Sequence, residues 1–276
     1  MTAYNRDKYI GEAIQSVLAC RYQHFELIVV DDCSADGTVE IAKKFAAADS
    51  RIKLFINEKN LGDYANRNRA ASYACGKYLV NADSDDTMFE TVLSKWVDEM
   101  EKHGAAFGMF SKMGNTVPLM LNAAETIRTH FFKKPLLMFG PGATIVEREF
   151  FFSMNGFPEK YGPANDMYHH IKLASSTPTL FFPFPLINYR LHDAQEINDS
   201  YGYLYNNYNY YRDVLKEVPL PLSGKEIKYL SKKNKRRFLT NLFKYLLKTS
   251  NFKKSAMALR NTHFSFKDFL IALFQL

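Results

Sequence analysis

The sequence is poor in several features that would otherwise settle its class. It holds a single tryptophan, Trp96, in 276 residues. Its three cysteines, Cys20, Cys33 and Cys75, are odd in number, widely separated and without metal-type spacing. That argues against a disulfide scaffold or a zinc module and suits reduced thiols acting as small buried hydrophobes. No apolar run approaches the ~18 residues needed to span a bilayer. The opening "MTAYNRDKYIGEA" lacks the basic-then-apolar layout of a secretion signal, so a cytoplasmic setting is expected. Internal repeats and low-complexity tracts are also absent. Acids are scarce in one place only. From Lys225 to Lys254 the chain carries 11 Lys or Arg against one acid, Glu226, and this segment dominates the formal net charge of +7.

What remains is an ordinary globular composition, 47% hydrophobic and 24% charged, long enough to bury a sizeable core. The first two thirds alternate helix-like and strand-like segments. "YIGEAIQSVLAC" places Ile10, Ile14, Val17 and Leu18 on one helical face. "FELIVVDD" is a continuous apolar run ending in acids, as a buried parallel strand reads. "SADGTVEIAKKFAAA" is the next helix, "RIKLFIN" a strand, and "GDYANRNRAASYAC" a small-residue helix with Gly76 as its expected cap. "KYLVNA" is a further strand, and a helix follows around Glu90–His103. This order predicts a doubly wound, mostly parallel, Rossmann-like α/β sheet with right-handed crossovers. Ligands in such sheets bind beyond the carboxyl ends of the strands. Both acid clusters, Asp31-Asp32 and Asp83-Ser84-Asp85-Asp86, fall at those ends.

Three acids in four positions repel one another unless something positive faces them. A D-x-D at a strand end can hold a divalent cation, Mn²⁺ or Mg²⁺, through hard carboxylate oxygens, with water and a diphosphate completing the shell. The plainer role is capping, since Asp86 and Thr87 precede a helix. One cap accounts for one acid, not three.

Taken together, these segments resemble the family 2, GT-A-fold glycosyltransferases over roughly residues 1–195. "TAYNRDKYIGEAIQSVL" is similar to the family's opening loop and first helix, and "FELIVVDDCSADGT" to its second strand and acidic turn. "NLGDYANRNRAASYACGKYLVNADSDD" is similar to its N-x-G…A-R-N…G-x-Y…D-x-D-D stretch. "GATIVEREFFFSMNGFPEKYGPANDMYHHIKLA" is similar to the acceptor-side segment that ends in an E-D motif. The resemblance implies an inverting, metal-dependent transferase that moves a sugar from a nucleotide-diphosphate donor, a UDP-sugar for preference, to an acceptor hydroxyl. A relative that binds a sugar nucleotide or glycan without transferring it is the alternative.

Residue roles follow from the same resemblance. Thr2, Ala3 and Tyr4 would lie against the base, and Asp32, or Asp31 beside it, would accept from the imide of uracil. Arg67 would approach the nucleotide or its diphosphate. Asp83 would hold the ribose or share the metal, Asp85 would ligate the metal, and Asp86 would divide between metal shell and cap. The motif's second acid is Asp166, the expected catalytic base; its first is replaced by Asn165. His192 in "YRLHDAQ" stands where several relatives place a histidine near metal or diphosphate, against the plainer role of a structural histidine. His169 and His170 are expected to pack or to be exposed, one of them alternatively lining the acceptor cleft.

Two departures stand out. The resemblance implies a central strand ahead of "TAYN", so further residues are expected upstream of Met1. The Q-x-x-R-W signature of processive synthases is absent, which favours single additions. A boundary near Val218–Ser223 would separate a catalytic domain, 1–218, from a basic amphipathic helical extension, 219–276. The extension's apolar face would pack on the domain, or its charges would meet an anionic membrane surface. A lipid-linked or surface-polysaccharide acceptor would suit the second case, and no nucleic-acid motif accompanies the charge.

Overall fold

The computed structural model describes residues 1–191 and 200–274. Its first half repeats a strand–helix unit. β1 (Thr2–Ala3), β2 (Leu27–Asp31) and β3 (Ile52–Ile56) pair in parallel, in the order β1-β2-β3. α1 (Ile10–Leu18) turns Ile10, Ile14 and Val17 inward, and α2 (Thr38–Ala48) and α3 (Asp63–Tyr73) complete the crossovers. All five residues of β2 are buried, as a strand covered on both faces requires. α3 ends at Tyr73 with an extended Ala74 as cap, so Gly76 does not cap it as the sequence led us to expect. Its many small and polar residues carry no strong stop signal, and the chain simply extends toward the next strand.

The second half is a mixed five-stranded sheet in the order β4-β8-β6-β9-β7. β4 (Tyr78–Val80) and β6 (Phe107–Phe110) both run antiparallel to β8 (Thr144–Glu147), which lies between them. β9 (Thr179–Phe182) is parallel to β6, and β7 (Leu119–Leu121) closes the far edge antiparallel to β9. β5 (Thr87–Met88) pairs with β10 (Ile187–Asn188) as a short antiparallel ribbon after the acid cluster. One parallel bridge, Thr2 to Asp83, joins β1 to the chain just beyond β4.

α4 (Val92–His103) ends on a left-handed Gly104 and buries Trp96, which stacks on Phe182 with ring centroids 4.1 Å apart. Between β7 and β8 lies α5 (Ala123–Phe132), started by an Asn122–Glu125 capping box. α6 (Arg148–Ser153) and α7 (Asn165–Ser176) follow. α8 (Ser200–Glu217) then bridges two packing environments. Its Tyr210, Tyr211 and Val214 join the main core, whereas Leu204 and Tyr208 pack with Phe238 and Leu242 of α9 (Gly224–Thr249) and Ala258 of α10 (Phe252–Thr262). α11 (Phe266–Phe274) lies against α9. Among the described residues no helix is long and apolar enough to cross a membrane.

Candidate active site

The carboxyl ends of β1, β2 and β4 open into a cavity of about 640 Å³, closed on its other side by the start of α7 and the 138–141 loop. Thr2, Ala3, Tyr4, Asp32, Arg67, Asp83, Asp85 and Asp166 all line it. Residues spread over 165 positions of sequence therefore share one crevice, because parallel strands deliver their ends to the same edge. Asp31 does not line the cavity: its carboxylate turns into the following loop, accepting from the Ser34 amide at 2.8 Å and the Ser34 hydroxyl at 2.5 Å. His192 lies outside the described residues.

Asp32 is buried and organises the wall. Its Oδ1 accepts from Asn57 Nδ2 and from the Leu61 amide, both at 2.8 Å, and its Oδ2 accepts from the Gly62 amide at 3.0 Å. Gly62 has φ of +89°, a backbone setting that favours glycine and that aims its amide at the acid. A carboxylate offers about four acceptor directions, so one remains for a donor entering the cavity.

Arg67 sits between acids. Its Nη1 is 2.6 Å from Asp83 Oδ1 and its Nε 3.0 Å from Asp63 Oδ1. Burial works against its charge, but Asp63 and Asp83 outweigh that and raise its pKa well above the usual value. It is a permanent cation with only 9% of its side chain exposed, placed at the cavity wall.

Asp85 faces Arg6, whose Nε is 3.0 Å from its Oδ2. Asp86 takes a different route. Its Oδ1 accepts from the Arg190 amide at 3.0 Å, while burial, reinforced by Asp83 and Asp85, pushes its carboxyl up to about 7. It faces away from the cavity. Arg190 braces this loop by donating to the backbone carbonyl oxygens of Asp85 and Asp86 and reaching Glu12. Neither arginine stood out in the sequence; the signal was only their adjacency to motif residues, in "YNRD" and "NYRLH".

A divalent cation fits the chemistry of Asp83 and Asp85, two hard-oxygen donors on one wall. Among the described residues no three His, Cys, Asp or Glu side chains group for a metal, so these two acids would hold it only with oxygen ligands from water and from a bound diphosphate.

Asp166 begins α7 and is 5% exposed, with Oδ1 accepting from the Met167 amide at 2.7 Å. The amide beside it has a structural task. Asn165 Oδ1 accepts from the Tyr161 amide at 2.9 Å and its Nδ2 donates to the Gly162 carbonyl at 2.8 Å. A carboxylate in the same place would have no proton to give that carbonyl. Tyr64, Met138, Phe139, Tyr189 and Tyr203 also line the cavity. Of these, Tyr64 comes from the "NLGDYANRN" stretch that the sequence marked. His169 and His170 are both buried, and neither is among the residues lining this cavity.

An α/β fold of this topology with acids and an arginine at the strand ends defines a nucleotide-sugar-transferase type of architecture. The family model "Glycosyl transferase family 2" matches residues 1–152, more than half the chain. The chain belongs to that family. It is 38% identical over 107 residues to "UDP-Glc:alpha-D-GlcNAc-diphosphoundecaprenol beta-1,3-glucosyltransferase WfgD" of Escherichia coli, covering 39% of this chain and 42% of that protein. Matches to three other curated relatives likewise span 37% to 52% of those proteins. The fold is shared with S. aureus TarS 1-349 solved with UDP-GlcNAc, at TM-score 0.72 and 19% identity over 98% of this chain and 80% of that one. It is shared too with the mannosyltransferase PcManGT of Pyrobaculum calidifontis in complex with GDP-Man and Mn²⁺, at TM-score 0.66 and 15% identity over 98% and 81%.

Proposed function

We propose that this chain transfers a sugar from a UDP-sugar to an acceptor hydroxyl with inversion at the anomeric carbon. The observation that carries the reading is the meeting of Asp32, Arg67, Asp83, Asp85 and Asp166 in one cavity. The base lies against Thr2, Ala3 and Tyr4, and Asp32 accepts from the uracil imide. Arg67 presents fixed positive charge to the diphosphate. Asp166 removes the acceptor's proton as the hydroxyl attacks from the face opposite the leaving group. Asp83 and Asp85 hold Mn²⁺ or Mg²⁺, which when bound would stabilise charge on the departing diphosphate. The UDP-sugar named for WfgD and the UDP-GlcNAc bound by TarS support the donor, and the Mn²⁺ bound by PcManGT supports the metal.

The acceptor we infer is a lipid-linked or surface-polysaccharide glycan, in line with the diphosphoundecaprenol in the name of WfgD. The catalytic domain comprises residues 1–218, and 219–276 form its helical extension. Exposed Phe243, Leu247 and Phe252 alternate there with exposed Lys244, Lys248 and Lys253, a face suited to peripheral contact with an anionic leaflet at the cytoplasmic side.

Calorimetric titration of UDP with and without Mn²⁺ tests the core of this reading. Metal-strengthened binding that Asp85→Ala abolishes is expected. A folded protein that binds UDP equally with and without the metal would sink the metal assignment, and one that binds no UDP would sink the donor.

A further inference from the structure

Residues three and four apart on a helix share a face. α8 carries Tyr203, Asn206, Tyr210, Asp213 and Glu217 at that spacing, so its five polar side chains form one stripe. Polar groups taken out of water need partners, and the stripe finds them in the segment that delivers Asp166. Tyr203 lines the donor crevice together with Pro163 and Asp166. Asn206 sits against Gly162, where an added Cβ would lie 2.7 Å from its Nδ2 and where φ is +50°. Asp213 Oδ2 accepts from the Tyr161 hydroxyl at 2.9 Å, and Glu217 Oε2 accepts from the Tyr168 hydroxyl at 3.0 Å.

The bond between Tyr161 and Asp213 bears on the base. Tyr161 precedes a single 3-10 turn, Gly162–Ala164, that runs directly into α7. Its backbone amide donates to Asn165 Oδ1 at 2.9 Å, and Asn165 Nδ2 donates back to the Gly162 carbonyl at 2.8 Å. Tyr161 is therefore held at two points, by Asp213 through its hydroxyl and by Asn165 through its amide. Asp166 is the next residue of the chain. Both Tyr161 and Asp213 are buried, so water does not compete for their bond.

Asp213 is itself fixed. Its Oδ1 accepts from Arg212 Nε at 2.8 Å, and Arg212 Nη1 donates to the Thr262 carbonyl at the end of α10 at 3.0 Å. Burial acts to raise the Asp213 carboxyl, but the bonds from Arg212 and Tyr161 outweigh it and hold it below the usual range. Burial, then Asp213, drives the Tyr161 hydroxyl well above its usual value, so it stays a donor. Tyr210, one turn earlier on the same stripe, has Asp166 within electrostatic reach. Burial raises its hydroxyl, with Arg237 of α9 acting against that and Asp166 adding to it. The pair formed by Tyr168 and Glu217 differs, because it holds α7 beyond Asp166 and makes no bond to the turn.

We propose that Asp213, acting through Tyr161, is a positioning residue for the catalytic base. It fixes the 161–165 segment and with it the direction in which Asp166 presents its carboxylate to the acceptor. The inference rests on the reading of Asp166 as the base.

The test measures UDP release from UDP-glucose, UDP-galactose, UDP-GlcNAc and UDP-GalNAc, with Mn²⁺ present and water as acceptor, in the full chain and three variants. Tyr161→Phe removes the hydroxyl and keeps the ring that stacks on Tyr168, centroids 5.1 Å apart. It is expected to lower kcat about 10-fold or more, with donor KM and UDP affinity within about twofold. Asp213→Asn keeps an oxygen for the Tyr161 hydroxyl and should lose less of kcat than Tyr161→Phe. Tyr168→Phe removes a bond of the same kind without touching the turn. It should lower the thermal midpoint about as much as Tyr161→Phe while kcat stays within about twofold. Equal kcat losses in the two Phe variants, or a loss matched by weaker UDP binding, would make the Tyr161 bond ordinary packing and overturn the proposal. Unchanged kcat in Tyr161→Phe would overturn it as well. A wild-type protein that binds UDP but releases it from none of these donors would sink the transfer reading itself, and this inference with it.

Discussion

Arg6 Nε lies 3.0 Å from Asp85 Oδ2, so the second acid of the D-x-D stretch already has a cationic partner. A metal ion arriving at Asp85 must share or displace that guanidinium. A partly exposed pair of this kind contributes about 0.5–1 kcal/mol. Arg6→Ala should therefore tighten Mn²⁺ binding about 2- to 5-fold, read from free Mn²⁺ by electron paramagnetic resonance. Weaker Mn²⁺ binding in the variant would mean that Arg6 supports the site instead of competing for it.

Asp166 is the carboxylate proposed to take the acceptor proton, and its geometry allows a clean variant. An amide at this position keeps an oxygen to accept from the Met167 N–H, so Asp166→Asn should fold normally. Turnover should fall about 10²- to 10⁴-fold while UDP affinity stays within about twofold. Undiminished turnover would place the base elsewhere. A wild-type protein that binds UDP yet never transfers would favour the alternative, a relative that binds a sugar nucleotide without transferring it.

The parallel first half was legible because β2 is an apolar run ended by acids and α1 carries a 3.6-residue apolar stripe. Asp32, Arg67, Asp83, Asp85 and Asp166 were likewise legible as members of a spaced pattern. Three things were not. The antiparallel placement of β8 between β4 and β6 depends on pairing across tens of residues, which no local period encodes. Arg6 and Arg190 declare themselves only when the acid loop is seen in three dimensions. Asp31 and Asp32 look equivalent in "VVDD", yet alternation along the chain sends one to Ser34 and the other to the cavity wall.

Gly108 on β6 tests how tightly the second half of the fold is packed. A Cβ there would meet Phe182 at 2.7 Å, the Met100 sulfur at 2.8 Å and Ile145 at 2.9 Å. All three belong to the buried core, so none can swing aside into solvent. Gly108→Ala should cost about 1–3 kcal/mol by overpacking, measured by urea unfolding. A loss below about 0.5 kcal/mol would show that β6, β9 and α4 repack freely.

Acid sensitivity should come from buried histidines before ordinary carboxylates titrate. Burial lowers His130 to about 4 and His170 to about 3, and drives His169 well below its usual value. Each is depressed relative to the unfolded chain, where histidine titrates near 6.5. The unfolded state therefore binds more protons below that pH, and stability present above it drains away as pH falls toward the folded values. Each histidine contributes a slope of up to about 1.4 kcal/mol per pH unit in that window. Asp86, raised to about 7, acts in the opposite sense between about 4 and 7, so the raw slope mixes both signs. A variant-minus-wild-type difference separates them. His170 stacks near Phe107 and its ring nitrogens make no close hydrogen bond beyond an approach to the Leu137 backbone, so His170→Phe should lose little bonding. Its stability advantage should grow from pH 7 to pH 5 by about 2 kcal/mol, followed by urea unfolding at each pH. A constant difference across that range would mean that His170 is charged, or solvated, in the folded protein.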